Sequence, residues 1–176
     1  MKEKTRFITR AALIAAVYTV LTGISHLAGL DKGVIQLRIS EALCFLPCFL
    51  PAAIPGLSIG CLISNIIYGG ALPDIIFGTL ATLLGALGTY LLRKHPLLAP
   101  IPPILANALI IPPVLIFAYG ATEAYWFILL TVTAGEMLAC AAVGYPLMFM
   151  MRRYKLFSFP LPKKKKSRKR ALPILS

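Results

Sequence analysis

A few polar side chains stand out in this 176-residue chain because they interrupt or border its long apolar stretches. Arg38 and Glu41 lie three residues apart, immediately before an apolar run in which no further charge occurs until Asp74. A charged pair at the edge of such a run is typical of the rim of a membrane-embedded site. The alternative is an ordinary ion pair between Arg38 and Glu41 at the surface of a helix.

A single carboxylate, Glu136, lies within the last apolar run, about twelve residues from its start. At 1.5 Å per residue this position is roughly 18 Å along a helix, which is near the midplane of a bilayer. A charged side chain there costs at least ~2.5 kcal/mol, so a carboxylate at this depth is a functional candidate. The alternative is a structural role, with Glu136 paired to Asn65, Thr133 or a backbone group of another helix.

Two amides, Asn65 and Asn107, lie within other apolar runs. An amide side chain presents both donors and an acceptor, so either residue is suited to the polar edge of a ligand. Either is equally suited to joining two helices. The candidate substrate-binding residues are Arg38, Glu41, Asn65, Asp74, Asn107 and Glu136.

The composition excludes an ordinary soluble domain. The chain is 59% hydrophobic and 14% charged, whereas soluble domains are about 45–50% apolar and about one quarter charged. A membrane-spanning helix needs roughly 20 apolar residues, and several such runs are present. We therefore predict an all-α integral membrane protein in which residues 1–155 form one six-helix domain. The predicted spans are about 11–27, 41–54, 57–70, 74–92, 100–119 and 125–151.

Glycine and proline residues predict where these spans end. Pro55-Gly56 is expected to break the chain between the second and third spans, and Gly69-Gly70 with Pro73 between the third and fourth. The fifth span contains many prolines, which predicts kinks and a short regular part.

The distribution of the +12 net charge predicts the topology. With six spans, 16 of the 18 lysines and arginines fall on one side, together with both termini. With five spans, the basic C-terminal residues would be translocated, against the positive-inside rule. We therefore expect both termini to be cytoplasmic. The basic tail, residues 156–176, is expected to be disordered and to contact anionic lipid rather than nucleic acid.

The absence of several motifs narrows the function. The chain has no GxxxxGK[ST] phosphate loop and no HExxH motif, so we expect neither ATPase activity nor a bound metal or cofactor. Cys44 and Cys48 lie on one helix face without a Cys/His cluster, which indicates small buried apolar residues rather than a soft-metal site. A chain with an outward-facing acidic pocket and no motif for ATP hydrolysis suggests a substrate-capture subunit whose transport is driven by a partner protein.

The first span carries two stripes of small residues at a spacing of four. Ala11 and Ala15 form one, and Ala12 and Ala16 form the other. Such a stripe lets another helix approach closely, either within this protein or from a partner.

Four segments resemble the QueT family of queuosine-precursor transporters. They are IQLRISEAL at Ile35–Leu43, PAAIPGLSIGCLISN at Pro51–Asn65, DIIFGTLATLLGALGTYLLRK at Asp74–Lys94 and AGEMLACAAVGYPL at Ala134–Leu147. Proteins of this family are similar to the substrate-binding S components of bacterial energy-coupling factor transporters.

The resemblance implies a six-helix bundle in the bacterial cytoplasmic membrane that binds a 7-deazaguanine, such as 7-aminomethyl-7-deazaguanine, from outside. It implies a transmembrane T component and two ATPase subunits as partners, and these use the ATP. An AxxxA stripe on the first helix would dock the T component, and both alanine registers fit. The remaining alternatives are an S component for another vitamin and a self-sufficient membrane carrier.

The ligand implied by the resemblance matches the carboxylates. Its ring N–H and exocyclic amine form a donor pair for one carboxylate, and its ammonium calls for a second. We expect Glu136 at the guanine edge and Glu41 or Asp74 near the amine, with the reverse assignment still open.

Overall fold

The computed structural model describes residues 2–30 and 37–154. Every regular element in this part of the chain is helical, which confirms the predicted all-α class. The predicted basic tail lies outside the described residues. The helices are α1 (Lys2–Leu27), α2 (Ala53–Ile67), α3 (Leu72–Leu91), α4 (Ile101–Tyr119), α5 (Tyr125–Leu138) and α6 (Tyr145–Arg153), with a 3-10 helix (Ile39–Cys48), a short 3-10 turn (Pro96–Leu98) and a π-helical segment (Ala139–Gly144).

Four helical stretches in the described part of the chain are long and apolar enough to cross a membrane. Two further apolar helices, Ile39–Cys48 and Ala53–Ile67, are shorter. The presence of several spans is thus confirmed, and the count of six stays a prediction. The long stretches are Lys2–Leu27, Leu72–Leu91, Pro96–Tyr119 and Tyr125–Arg153.

Two details of the predicted spans are wrong, whereas helix α1 contains the predicted span 11–27 and begins earlier, at Lys2. Helix α2 begins at Ala53, so the break between the two helices lies before this residue rather than at Pro55-Gly56. Proline is tolerated in the first turn of a helix because the N–H groups there have no intrahelical hydrogen-bond partner. Helix α4 runs unbroken for 19 residues with Pro112 and Pro113 inside it.

Small residues let α1 and α2 pack closely, side by side and in the same direction. A Cβ atom added to Gly56 would lie 2.8 Å from the Ala11 carbonyl oxygen, and one added to Gly60 would lie 2.9 Å from that of Ala15. Ala11 and Ala15 are therefore buried against α2. Ala12 and Ala16 lie on the exposed face of α1.

The 3-10 helix occupies the centre of the bundle. Its residues from Ser40 to Cys48 are all buried, and it packs against α1, α3 and the π-helical segment. The Sγ atoms of Cys44 and Cys140 are 3.4 Å apart, and a Cβ atom on Gly144 would meet the Phe45 ring at 2.6 Å. A 3-10 run of ten residues is unusually long. At about 2 Å per residue it crosses roughly 20 Å, farther than an α-helix of the same length.

The four cysteines are all buried and none forms a disulfide, as expected of small apolar residues. Within the described ranges, no group of three or more histidine, cysteine, aspartate or glutamate side chains is placed to hold a metal ion.

Candidate functional site

A cavity of about 600 Å³ opens at the end of the bundle where α1, α2 and α4 end and α3 and α5 begin. We call this the cavity end. The volume is within the range of sites for small organic ligands. Three of the predicted site residues line the cavity, namely Arg38, Asn65 and Asp74. We call them the outer polar group.

The outer polar group is centred on Asp74, in the first turn of α3. Arg38 Nη2 lies 3.6 Å from Asp74 Oδ2, and the Tyr119 hydroxyl donates to the same oxygen at 3.2 Å. Asn65 Nδ2 donates to the Asp74 backbone carbonyl at 3.3 Å. The Arg38 side chain is 22% exposed and that of Asp74 is 8% exposed. This corner of the cavity is therefore preorganised and charged.

The alternative of a surface ion pair between Arg38 and Glu41 is wrong, because Arg38 pairs with Asp74 instead. Burial by itself lowers the pKa of the Arg38 guanidinium, but the surrounding acidic groups, of which the Asp74 carboxylate has the largest effect, together more than offset this and raise the pKa above its ordinary value. Arg38 therefore stays a cation. Glu41 turns into the bundle, where the Tyr18 hydroxyl donates to its Oε1 at 2.5 Å.

Aromatic rings form much of the cavity wall. Tyr68, Tyr119 and Phe127 line it, and His26 stacks on Tyr68 with ring centroids 5.3 Å apart. A planar ligand can stack against such walls. Trp126 is 72% exposed and lies outside the cavity lining.

The other three predicted site residues, Glu41, Asn107 and Glu136, are buried and do not line the cavity. We call them the inner polar group. Glu136 lies one α5 turn beyond Val132, a residue of the cavity wall, and on the same helix face. The Asn107 amide lies beside the Glu136 carboxylate, and Glu41 is within electrostatic range of it.

The polar contacts of the inner group are incomplete. The Asn107 amide interacts with the Glu136 carboxyl group, yet Asn107 Nδ2 and Glu136 Oε2 are buried and make no hydrogen bond of normal geometry among the described residues. Buried polar atoms in folded proteins are nearly always paired. This pair of unmatched atoms therefore calls for an explanation, which we return to below.

Sequence analysis missed the tyrosines that hold the carboxylates. Tyr18 holds Glu41, and its only sequence signal is its place on the buried face of α1, three residues beyond Ala15. Tyr119, the last residue of α4, is not among the predicted site residues. It also accepts a hydrogen bond from the Ala71 N–H at 2.9 Å, so it ties the end of α4 to the start of α3.

Tyr119→Phe is expected to loosen this corner of the cavity. The change removes the hydrogen bonds to Asp74 and Ala71 and should cost roughly 1–2 kcal/mol of unfolding free energy. Thermal unfolding of the purified protein measures the effect. The control is Tyr125→Phe, since Tyr125 lies outside the cavity. Equal unfolding temperatures for the two variants would contradict the prediction.

Comparison with known proteins identifies the family of the chain. The family model described as QueT transporter matches residues 8–153. A protein of Lactococcus lactis subsp. cremoris (strain MG1363), described as "Queuosine precursor transporter QueT", is 40% identical over 82 residues. These residues are 47% of this chain and 48% of that relative, so the matched part spans about half the length of each. No solved structure matches the chain. The chain therefore belongs to the QueT transporter family, and its long apolar helices identify it as a multi-pass bacterial membrane protein.

Proposed function

We propose that this protein is the substrate-capture S component of an energy-coupling factor importer. It binds a queuosine precursor, a 7-deazaguanine such as 7-aminomethyl-7-deazaguanine, from the outer side of the bacterial cytoplasmic membrane. The observation that carries the proposal is the cavity with aromatic walls and an Arg38–Asp74 pair in a chain of the QueT family. The chain itself binds no cofactor, and the ATP is used by its partners.

The charge distribution supports an outward-facing cavity. Arg6 and Arg10 lie beside the loop 50–52, at the end of the bundle opposite the cavity. Arg152 and Arg153 terminate α6 at that same end. By the positive-inside rule this basic end is cytoplasmic, together with both termini of a six-span bundle. The basic tail then faces the anionic lipid of the inner leaflet.

The contacts favour one of the two assignments for the ligand amine. Asp74 lines the cavity, whereas Glu41 is buried and already accepts a hydrogen bond from Tyr18. The ligand ammonium therefore binds near Asp74, and the guanine edge points towards Glu136. The complete proposed site contains Arg38, Glu41, Asn65, Asp74, Asn107 and Glu136.

The partners in this proposal are a T component and two ATPase subunits. Ala11 and Ala15 are buried against α2 whereas Ala12 and Ala16 are exposed, which favours Ala12 and Ala16 as the stripe for the T component. All four alanines line an apolar surface groove that Phe7 also lines. No nucleic acid is involved.

The experiment that tests the function is calorimetric titration of the purified protein with 7-aminomethyl-7-deazaguanine, its 7-cyano analogue and queuine. A panel of unrelated vitamins runs beside them. Binding to a 7-deazaguanine supports the proposal. Failure of folded protein to bind any of the three, or tighter binding of another vitamin, would overturn the substrate assignment. Uptake by this chain in cells without the ATPase subunits would overturn the role as an S component.

Ala16→Trp is expected to reduce uptake in cells that contain the whole transporter by at least about tenfold, because the indole fills the close-packing stripe. Ligand binding by the isolated protein should not change, since Ala16 is remote from the cavity. The control is Leu13→Trp, at an exposed α1 position outside the groove. Normal uptake by the Ala16 variant would show that the T component docks elsewhere.

A further inference from the structure

The two unmatched atoms of the inner polar group form a complementary pair. Asn107 Nδ2 is a hydrogen-bond donor and Glu136 Oε2 is an acceptor. The side chains of Asn107 and Glu136 are 5% and 9% exposed, so bulk water does not readily satisfy them. A buried polar group without a partner costs roughly 1–3 kcal/mol on protein scales. Two such neighbouring atoms are expected where a ligand supplies the missing partners.

The pair lies directly beyond the innermost wall of the cavity. Leu115 and Val132 line the cavity from α4 and α5. Asn107 lies two helical turns before Leu115 along α4, and Glu136 lies one turn after Val132 along α5, so both belong to the same deeper layer. A buried apolar cluster that contains Ile111 and Val132 separates this layer from the cavity.

A ligand ring that moves inwards from the cavity therefore reaches Asn107 and Glu136 once the side chains of Ile111 and Val132 move apart. The contact between them is made by aliphatic groups alone, without a hydrogen bond or ion pair.

We infer that Asn107 and Glu136 together recognise a lactam edge, in which a ring N–H and a C=O are neighbours. Glu136 Oε2 accepts from the ring N–H, and Asn107 Nδ2 donates to the carbonyl oxygen. This inference rests on the proposed function and assigns the two ends of its ligand. The lactam edge lies in the inner layer, and the substituent on the five-membered ring stays in the cavity beside Asp74.

The Asn107 and Glu136 side chains disfavour a ring edge with the reverse arrangement of donors and acceptors. A 2,6-diamino ring presents an unprotonated ring nitrogen to Glu136 and an amino group to Asn107, so an acceptor faces an acceptor and a donor faces a donor. Sites that bury polar groups for one hydrogen-bonding pattern discriminate strongly, because the wrong ligand leaves those groups unpaired. We expect the lactam to bind at least about 100-fold more tightly than its 2,6-diamino counterpart.

The experiment compares 7-aminomethyl-7-deazaguanine with the 2,6-diamino compound of the same skeleton, by calorimetry on the full-length protein. Asn107→Leu should weaken lactam binding by about tenfold and should not weaken binding of the diamino compound, so that discrimination falls by at least about tenfold. The matched control is Thr79→Val. Thr79 Oγ1 is also buried and has no hydrogen-bond partner among the described residues, but Thr79 belongs to neither polar group. Thr79→Val should alter neither affinity.

The outcomes separate this inference from the proposed function. Equal affinity of the unmodified protein for both compounds would overturn the inference while the function stands, and this comparison does not depend on a variant that folds. If the Asn107→Leu variant discriminated between the two compounds as strongly as the unmodified protein, the inference would also be overturned while the function stands. Failure of the unmodified protein to bind either compound would overturn the proposed function and the inference with it.

Discussion

Glu136→Gln is expected to weaken the binding of 7-aminomethyl-7-deazaguanine by about 100-fold. Glutamine keeps the shape of the side chain but replaces a carboxylate by an amide. In the proposed site the carboxylate accepts hydrogen bonds from the ring N–H and the 2-amino group, and each such charge-assisted bond contributes about 1.5–3 kcal/mol. Glutamine keeps one acceptor oxygen but places its amide NH2 group against the second ligand donor, so one charge-assisted bond is lost and the other is weakened. A combined loss of about 3 kcal/mol corresponds to about 100-fold, since 1.4 kcal/mol is a factor of ten. Calorimetric titration measures the change.

The same substitution should not reduce the stability of the ligand-free protein. Glu136 Oε2 is buried and unpaired among the described residues, so the substitution removes no hydrogen bond made through this atom in the ligand-free protein. We expect an unfolding temperature equal to or above that of the unmodified protein. Weaker binding together with undiminished stability is the signature of a ligand-binding residue. If Glu136 had a purely structural role, its substitution would lower both the ligand affinity and the unfolding temperature.

The control for Glu136 is Glu123→Gln. Glu123 is an exposed carboxylate that lines the mouth of the cavity, where water screens its interactions. We expect a change in affinity of only a few-fold. If Glu136→Gln bound the ligand as tightly as the unmodified protein, the function would stand and the inner polar group would have to be discarded as the binding site.

Gly60→Leu is expected to destabilise the protein by about 3 kcal/mol or more, because it forces α1 and α2 apart. A Cβ atom at this position would lie 2.7 Å from Tyr18 Cβ and 2.9 Å from the Ala15 carbonyl oxygen. The second contact is with backbone, which cannot rotate away. Thermal unfolding of the purified protein in detergent, followed by loss of helical circular dichroism, measures the effect.

The same variant should also lose ligand affinity. Displacement of Tyr18 breaks its hydrogen bond to Glu41 and leaves that carboxylate buried without its donor. The matched control is Leu62→Phe on the exposed side of α2, where a larger side chain meets no neighbouring helix. Unfolding of Gly60→Leu at the temperature of the unmodified protein would contradict the close packing of α1 on α2.

Much of this protein could be predicted from its sequence. The long apolar runs predict a helical membrane protein because a spanning backbone must satisfy its own hydrogen bonds. Glu136 was identified as a candidate because a lone carboxylate within an apolar run is costly wherever the helix lies. The turn at Gly69-Gly70 was also predicted correctly, and Gly69 has the positive φ of 78° that glycine adopts readily.

Pairings between distant residues were decided only by the tertiary structure. Arg38 is close to Glu41 in sequence but pairs with Asp74, since the 3-10 helix turns Glu41 inwards towards Tyr18. A helical period of 3.6 had been assumed for this segment, and the period of 3 in a 3-10 helix aims side chains differently.

The choice between the two alanine stripes also needed the structure. Ala11/Ala15 and Ala12/Ala16 have the same composition and spacing, so sequence alone cannot separate them. The glycines at positions 56 and 60 select the first pair, because the backbone of α2 can approach α1 only where both surfaces lack bulk. Sequence thus determined the kind of protein and its candidate residues, and tertiary packing decided which of these residues meet.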